Sequence, residues 1–407
     1  MPVYTDNRVM VTGIGIIVSN GKNQQDFFDN CCKGISGLKK CTLFDVSNFS
    51  TAYAGEITDE YLYEEKTPNE KGRIEYLIET SINELLYDSG LTKEYIANLK
   101  DKAYLSFATS LGTNNKILQY MKEKEKEGTG DSEWLLSITD LLPRIKNKLG
   151  IEGGCFTTTT ACAASTTAAG IGYDLIKNGI ADLVIVGGAD PLSEFSYYGF
   201  NSLRALSKSV CKPFDENRDG INIGEGCGFI VLESLKNAEK RKAKIYAEFL
   251  GYGINNDAYH ITSPDPEGRG AYMSMKMACA HDVAIIDSID YINAHGTGTR
   301  LNDKMELKAI QRLFQGGDRK VYVSSIKSLV GHCLAAAGII ELILTVLSIK
   351  NKIYISNENL DEELTEVEHD NVILLRENKI IKNAKVLTNN FAFAGNTVSA
   401  LLGTYKN

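Results

Sequence analysis

The segment Asp182–Gly188, DLVIVGG, runs from one acidic residue to a closing pair of glycines with nothing but branched apolar side chains between. A strand of this kind is buried on both faces, which requires a sheet covered by helices on each side. Arg8–Val18 (RVMVTGIGIIV) reads as a second buried strand ending in a Gly-containing turn. Residues 71–100 carry helical periodicity, with Ile74, Leu77, Ile78, Ile82, Leu85 and Leu86 on one face. Ala103–Thr109, Gly226–Leu232, Lys244–Gly251, Ser288–Asn293, Val321–Ser325 and Ala384–Asn389 are further strand candidates, with helical stretches between most of them. The alternation predicts a layered α/β fold with covered sheets. Two strand-rich halves meet near residues 245–258 without a Pro/Gly/Ser-rich linker, which predicts one compact unit of two halves.

Composition narrows the function. The 407 residues suffice for roughly two or three domain-sized units. The balance of 44 basic and 52 acidic residues gives a net charge of -8, which argues against broad nucleic-acid binding. No apolar run reaches the ~18–20 residues that span a bilayer. The longest candidate, around Ala335–Ile349, is interrupted by Gly338 and Glu341. The N-terminus shows no basic segment followed by an apolar stretch, so no signal peptide is expected. The nine cysteines are scattered without CxxC or Cys/His ligand spacing. That is a reduced, cytosolic pattern with no structural zinc, and eight of the nine are expected to be small buried hydrophobes. Residues 115–135 are highly charged and predict an exposed helix and loop. Residues 256–268 (NDAYHITSPDPEG) form a long polar loop of the kind that often serves function.

The chemistry concentrates in three places. Thr157–Gly170, TTTTACAASTTAAG, sets Cys162 among small residues at the start of a helix running to Lys177. A thiol there feels the partial positive charge of the helix end, which favours the nucleophilic thiolate. The same segment equally suits a buried Cys in a tightly packed small-residue helix. His295, in YINAHGTGTRLND, follows a predicted strand, and His332, in SSIKSLVGHCLAAAG, precedes an Ala-rich helix. Each alone suits a structural role. With the Cys they form a set fit for thioester chemistry, the thiol taking an acyl group and neutral imidazoles stabilising an enolate. His260, His281 and His369 are expected to be structural or superficial. The run at Gly13–Gly15 lacks the third glycine of a dinucleotide site and reads as a turn.

Taken together, these segments resemble the elongating β-ketoacyl-acyl carrier protein synthases of the synthase II type. The likeness runs over nearly the whole chain: RVMVTGIGII, TACAAST, CKPFDENRDGINIGEG, DAYHITSPDPEG, NAHGTGTRLND, SIKSLVGHCLAAAG and NNFAFAGNT. It implies the thiolase fold, duplicated α/β halves in a five-layered α-β-α-β-α arrangement, with residues 1–250 carrying the Cys and 251–407 the two histidines. It implies that Cys162 is the acyl-accepting nucleophile and that His295 and His332 are the catalytic histidines. Lys327 falls on the motif lysine that supports the second histidine, and Glu306 on its acidic partner. Thr297 and Thr299 match threonines that hydrogen-bond the phosphopantetheine arm. Phe393 matches the gating phenylalanine, whose amide joins that of Cys162 in an oxyanion hole; Phe391 lies in the same turn. Leu111 falls where a bulky residue limits the acyl pocket.

The resemblance further implies decarboxylative condensation of a Cys-bound acyl chain with malonyl-acyl carrier protein, in the cytoplasm. It implies no cofactor of the protein's own, since the 4'-phosphopantetheine belongs to the carrier. The expected partners are acyl carrier protein and a second subunit, identical or related, with no nucleic acid and no membrane. The chain departs from the family in two places. The usual gate, Phe-Gly-Phe-Gly-Gly-Thr-Asn, is here Phe391-Ala392-Phe393-Ala394-Gly395-Asn396-Thr397, and residues 115–150 are more charged. Both fatty-acid elongation and specialised polyketide or polyene synthesis remain open. A non-catalytic chain-length partner would lack Cys162. A CoA-dependent thiolase would carry a second Cys in the 391–397 turn, and a chain-initiating synthase would carry Asn in place of His332.

Overall fold

The computed structural model describes residues 7–58, 72–127, 138–317, 319–381 and 384–406. Eleven strands form one mixed sheet. In chain order they are β1 (Val9–Val18), β2 (Ala103–Ala108), β3 (Cys155–Thr158), β4 (Leu183–Asp190), β5 (Gly226–Ser234), β6 (Ala247–Asn256), β7 (Tyr291–Asn293), β8 (Val321–Ser324), β9 (Val372–Leu374), β10 (Lys385–Phe391) and β11 (Asn396–Gly403). Their spatial order is β9-β8-β7-β10-β11-β6-β1-β5-β4-β2-β3. From the centre outward the same pattern runs both ways. β1 is antiparallel to β5, β5 to β4, and β4 is parallel to β2 and β2 to β3. Likewise β6 is antiparallel to β11, β11 to β10, and β10, β7 and β8 run parallel. The copies join where Val9, Met10 and Val11 of β1 pair antiparallel with Phe249, Glu248 and Ala247 of β6. The expected division after residue 250 thus falls inside β6, whose first residue, Ala247, opens the second copy.

Helices fill the space in three layers. α1 (Arg73–Ser89) buries Ile74, Leu77, Ile78, Ile82 and Leu85 at helical spacing and ends on Gly90, whose φ of 65° is easy only for glycine. Burying each of those side chains contributes about 1.5–3 kcal/mol. It lies so close to β1 that a Cβ on Gly15 would sit 1.9 Å from the carbonyl oxygen of Ser81. Together with Leu105, Phe107, Ile185 and Phe229 this face makes one outer core. α2 (Asn114–Glu127) presents Met121, Lys122, Lys124 and Glu125 to solvent, as its charge predicts; the rest of that segment, 128–135, lies outside the described residues. The central layer holds α3 (Ala164–Lys177) and, beyond it in the chain, a second buried helix. The other outer core gathers Ala271 and Met275 of α4 (Arg269–Ala278) and Leu307 and Ile310 of α5 (Arg300–Leu313) against Ile292, Leu387 and Leu401.

The second central helix is α6 (Ala337–Asn351), buried over Ala337–Ile349. Stretch Leu334–Asn351 is long and apolar enough to cross a membrane, and here it is core, packed between the two copies of the sheet. Small residues allow this: Ile339 and Ile343 lie against the backbone of Gly228, and Gly170 of α3 leaves room for the Tyr252 ring. The layer order is therefore helix, sheet, helix, sheet, helix. The cysteines conform only in part, since Cys155 on edge strand β3 is exposed and Cys32 is half-buried.

Candidate active site

Both central helices begin with a single turn of 3-10 helix preceded by strain. Ala161, at φ 48°, leads into Ala161–Ala163 and α3, and Leu334, at φ 51°, leads into Leu334–Ala336 and α6. A non-glycine residue in the left-handed region costs about 1–2 kcal/mol and signals a place where the fold forces a side chain's direction. Here it sets Cys162 into the floor of a cavity of about 440 Å³. The residue is 8% exposed. The helix start alone predicts a thiolate, but the enclosure reverses that balance. Burial pushes the Cys162 thiol up to about 12, against the opposing pull of Lys327 and of the residue's own amide. Cys162 therefore rests as a thiol.

His295 and His332 line the same cavity, with ring centroids 5.4 Å apart and planes nearly perpendicular at 84°. Their hydrogen bonds define which nitrogen carries the proton. The amide of Leu334 donates to His332 Nδ1 at 3.2 Å, so the proton of the neutral ring sits on Nε2. Lys327 Nζ lies 3.4 Å from His295 Nδ1 and donates to the His295 carbonyl at 2.6 Å. An ammonium only donates, so His295 also keeps its proton on Nε2. Burial and the nearby Lys327 hold both imidazoles well below the usual histidine range. The site therefore holds two neutral N–H donors near a thiol.

The acidic partner of Lys327 is Glu341, not Glu306. Lys327 Nζ donates to Glu341 Oε1 at 2.5 Å, with the two side chains 1% and 2% exposed. Asn390 Nδ2 holds the other carboxylate oxygen at 2.6 Å. Lys327 supports His295, which it contacts directly, rather than the second histidine. Glu306 instead accepts the amides of His295 and Gly296 at 2.9 and 2.8 Å, and Asn389 at 3.2 Å. It is thus a clamp on the backbone of the histidine turn. Burial raises its carboxyl to about 7, with these donors pulling the other way. Spacing explains the mismatch: Asp303 and Glu306 project from the first turns of α5 back onto the turn that precedes it. Asp303 accepts the amides of Phe214 and Gly298 there.

Thr297 and Thr299 line the cavity, their hydroxyls 2.9 Å apart. Thr299 also caps α5, its Oγ1 accepting the amide of Asn302. Phe391 packs edge-on against His295, with centroids 5.8 Å apart. Phe393 stacks on Phe200 at 5.7 Å, and both line the cavity. The amides of Cys162 and Phe393 lie in first turns of 3-10 helices, where an N–H has no intrahelical acceptor. Leu111 is buried but does not line the cavity; its amide donates to Asp190 Oδ1 at 2.9 Å. Asp190, raised to about 6 by burial, also accepts the amide of Ala335.

The polar loop 256–268 lines the cavity with Asp257, Thr262, Ser263 and Pro264 and pins the 391–397 turn. Ala394 donates to the Ile261 carbonyl at 2.7 Å, Asn256 Nδ2 donates to the Ala394 carbonyl at 2.8 Å, and Asp257 donates to the Gly395 carbonyl at 2.8 Å. Ala394 holds φ 61°, a conformation glycine adopts freely. His260 is structural, its Nδ1 accepting the amides of Thr262 and Ser263.

Residues 6–238 match the family model described as the N-terminal domain of β-ketoacyl synthases, and residues 246–361 match the corresponding C-terminal domain. The chain belongs to the β-ketoacyl synthase family. It is a condensing enzyme of the ketosynthase type. Among its relatives, 3-oxoacyl-[acyl-carrier-protein] synthase 2 of Staphylococcus aureus (strain COL) is 35% identical over 361 residues, 85% of this chain and 86% of the relative. The protein of the same description from Synechocystis sp. is 32% identical over 414 residues, 98% of each chain. The ishigamide ketosynthase/chain length factor structure has a TM-score of 0.89 at 31% identity, covering 99% of this chain and 100% of its own. A type II polyketide synthase acyl-carrier protein in complex with its ketosynthase bound to the hexaketide gives 0.87 at 26% identity, covering 99% and 100%. The thiolase-like fold follows from these ketosynthase structures.

Several site residues escaped the sequence reading. Glu341 was visible as the one charge in the buried stretch Ala337–Ile349 of an apolar helix, a signal of a buried partner elsewhere. Arg218 was visible only as part of a motif. It is 1% exposed and donates to the carbonyls of Thr299 and Arg300 at 3.4 and 3.1 Å, fixing the start of α5. Asp257 and Thr397 line the cavity and were visible only as members of the 256–268 loop and the 391–397 turn, whereas Phe200 lines it without any distinguishing local pattern.

Proposed function

We propose that this ketosynthase extends an acyl chain held on Cys162 by a two-carbon unit from malonyl-acyl carrier protein, as an elongating enzyme of the synthase II type. The observation that carries the reading is the pair of neutral Nε2–H donors beside one thiol. Neutral donors stabilise an oxygen that becomes negative without being consumed as acids.

The first half-reaction is thioester exchange. Cys162 sulfur bonds to the acyl carbonyl, the carrier's thiol leaves, and the proton of Cys162 departs with it. In this reading the amides of Cys162 and Phe393, each without an intrahelical acceptor, receive the tetrahedral oxyanion. In the second half, the malonyl carboxylate leaves as CO2 and its bonding pair becomes the enolate. His295 and His332 hold the enolate oxygen through Nε2–H. The enolate carbon then bonds to the acyl carbonyl, the Cys162–acyl bond breaks, and the released thiolate takes a proton from water. A single donor of this kind is worth about 10²–10³ in rate. The reaction draws on no cofactor held by the protein, because the 4'-phosphopantetheine arm enters with acyl carrier protein.

We place the reaction in fatty-acid elongation, following the synthase 2 relatives, in the reduced cytosol suggested by nine free cysteines. Polyketide or polyene elongation, with a related second subunit rather than a second identical one, is favoured by Ala392 and Ala394 in the gate and by the likeness to the ishigamide ketosynthase/chain length factor. One experiment tests both: purified protein with acyl-carrier proteins of graded length and unsaturation plus malonyl-carrier protein, following CO2 and product mass. Condensation lost in Cys162→Ala supports elongation, and the chain profile separates the pathways. A folded protein that acylates Cys162 with none of them refutes the proposal.

A further inference from the structure

Asn389 and Asn390 stand near the end of β10, and successive residues of a strand face opposite sides of its sheet. Asn389 Nδ2 donates to Glu306 at 3.2 Å, and Glu306 clamps the backbone of His295. Asn390 Nδ2 donates to Glu341 at 2.6 Å, and Glu341 holds the Lys327 ammonium that touches His295. One dipeptide thus grips both supports of His295. The next residue, Phe391, packs against the His295 ring.

The other end of the Asn390 amide is tied to the helix of the nucleophile. Thr166 lies on α3, about one helical turn past Cys162. A threonine hydroxyl in a helix commonly returns to the carbonyl one turn back, as that of Thr167 does to Ala163 at 2.9 Å. Thr166 instead donates across the layers to Asn390 Oδ1 at 2.5 Å, and both residues are fully buried. Gly338 of α6 leaves the room for this: a Cβ there would lie 2.2 Å from Thr166 Oγ1 and 2.9 Å from Asn390 Oδ1. The elements α3, α6 and β10 therefore meet at one hydrogen bond. Around it α3 packs through Ala164, Ala168 and Ala169, and apolar contact has no preferred direction. A neighbouring tie, from the Ile339 amide to Ser165 Oγ at 2.8 Å, joins α3 to α6. The polar path from the nucleophile's helix to His295 runs through Thr166, Asn390, Glu341 and Lys327.

We propose that Thr166 and Asn390 are positioning residues that hold the Cys162 helix in register with His295, so that the enolate forms within bonding reach of the acyl thioester. The assignment rests on the condensing reading above. Acylation needs Cys162 and its backbone amides, and decarboxylation needs the two imidazoles. Only carbon–carbon bond formation needs the two groups set against each other, and there a small misplacement lowers the rate steeply. When the register is lost, CO2 still leaves and the enolate still forms. Its carbon then takes a proton from water, leaving hydroxide, instead of bonding to the acyl carbonyl. The carrier departs with an acetyl thioester, and the acyl group stays on Cys162.

The test gives the full-length protein acyl- and malonyl-loaded carrier protein. It follows CO2 release beside mass spectrometry of acyl-Cys162, β-ketoacyl-carrier protein and acetyl-carrier protein. A hydrogen bond between neutral groups shifts a population by about three- to tenfold. Thr166→Val is expected to raise the ratio of acetyl to β-ketoacyl product by that factor, with acylation of Cys162 and CO2 release close to wild type. Thr166→Ala, which removes the hydroxyl without setting a methyl against Asn390, is expected to act in the same direction, and Thr166→Ser to keep the wild-type ratio. Three results overturn the register role and leave the condensing reading standing. They are an unchanged ratio in whichever of Thr166→Val and Thr166→Ala is folded by denaturant melt, a raised ratio in Thr166→Ser, or equal losses of acylation, CO2 release and product. If wild-type Cys162 is acylated by no carrier protein, the condensing reading falls and the register role falls with it.

Discussion

Replacing Lys327 by Met removes the cation that touches His295. Its Nζ is 3.4 Å from His295 Nδ1, 2.6 Å from the His295 carbonyl and 2.5 Å from Glu341. At an effective dielectric of 20, a unit charge 3.4 Å away opposes protonation of the ring by about 5 kcal/mol. The neighbouring Glu341 carboxylate offsets part of this, and a remainder of even about 1.4 kcal/mol is one full pH unit. Without Lys327, nothing holds His295 Nδ1 as an acceptor, and the ring is free to place its proton there and present a lone pair to the cavity. The expected loss is that of one enolate donor, about 10²–10³ in the rate of malonyl decarboxylation. Acylation of Cys162 loses the pull of Lys327 on the thiol but keeps the backbone amides, so it is expected to fall less than decarboxylation does. Stability falls as well, by about 3–5 kcal/mol, because Glu341 is left buried without its partner. The double variant Lys327→Met/Glu341→Gln recovers most of that stability without recovering decarboxylation. The assay is 14CO2 release from malonyl-carrier protein beside mass-spectrometric acylation of Cys162, at a temperature where denaturant melts show both variants folded. Equal losses in the two half-reactions, or normal decarboxylation, would refute the role given to Lys327.

Two further outcomes follow from the geometry. Ala394→Gly relieves left-handed strain of about 1–2 kcal/mol but adds unfolded-state entropy of about 0.5–1 kcal/mol, so the melting midpoint should hold or rise slightly while acyl-chain selectivity broadens; a drop in stability would show that Ala394 is not strained. Because the folded pKa of His332 is depressed, its contribution to stability is full above about pH 6.5 and is lost as pH falls below it. The raised carboxyls of Glu306 and Asp190, at about 7 and about 6, act with the opposite sign in overlapping windows, so the comparison must be between variants. His332→Asn retains an acceptor for the Leu334 amide. Its stability relative to wild type should therefore improve by about 1 kcal/mol between pH 6.5 and 5.5 in urea melts, and a pH-independent difference would show that His332 is not held neutral.

Much of this protein was legible in one dimension. Leu183–Asp190 and Val9–Val18 were readable as strands because burial on both faces leaves a largely apolar run, although Gly13 and Gly15, read as a turn, lie within the second of these strands and pair with β5, and α1 was readable because one face repeats at helical spacing. Cys162, His295 and His332 were readable because each sits beside small residues at an element boundary, and a boundary is a local property. β3 (CFTT) and β11 (NTVSALLG) were missed as strands, since small and polar residues give no apolar run and only hydrogen bonding to β2, β6 and β10 makes them strands. Tertiary structure alone decided the partnerships. Lys327 chose Glu341 over Glu306 because α6 runs through the core beneath the histidine, fourteen residues on in sequence, while Glu306 was drawn to the backbone in front of its own helix. The height of the Cys162 pKa and the Nε2–H orientation of His295 depend likewise on distances between segments far apart in the chain, whereas His332 is oriented by the Leu334 amide two residues on. Residue type and spacing carry what a side chain is able to do; which charge, amide or cavity it meets is set only when the layers close.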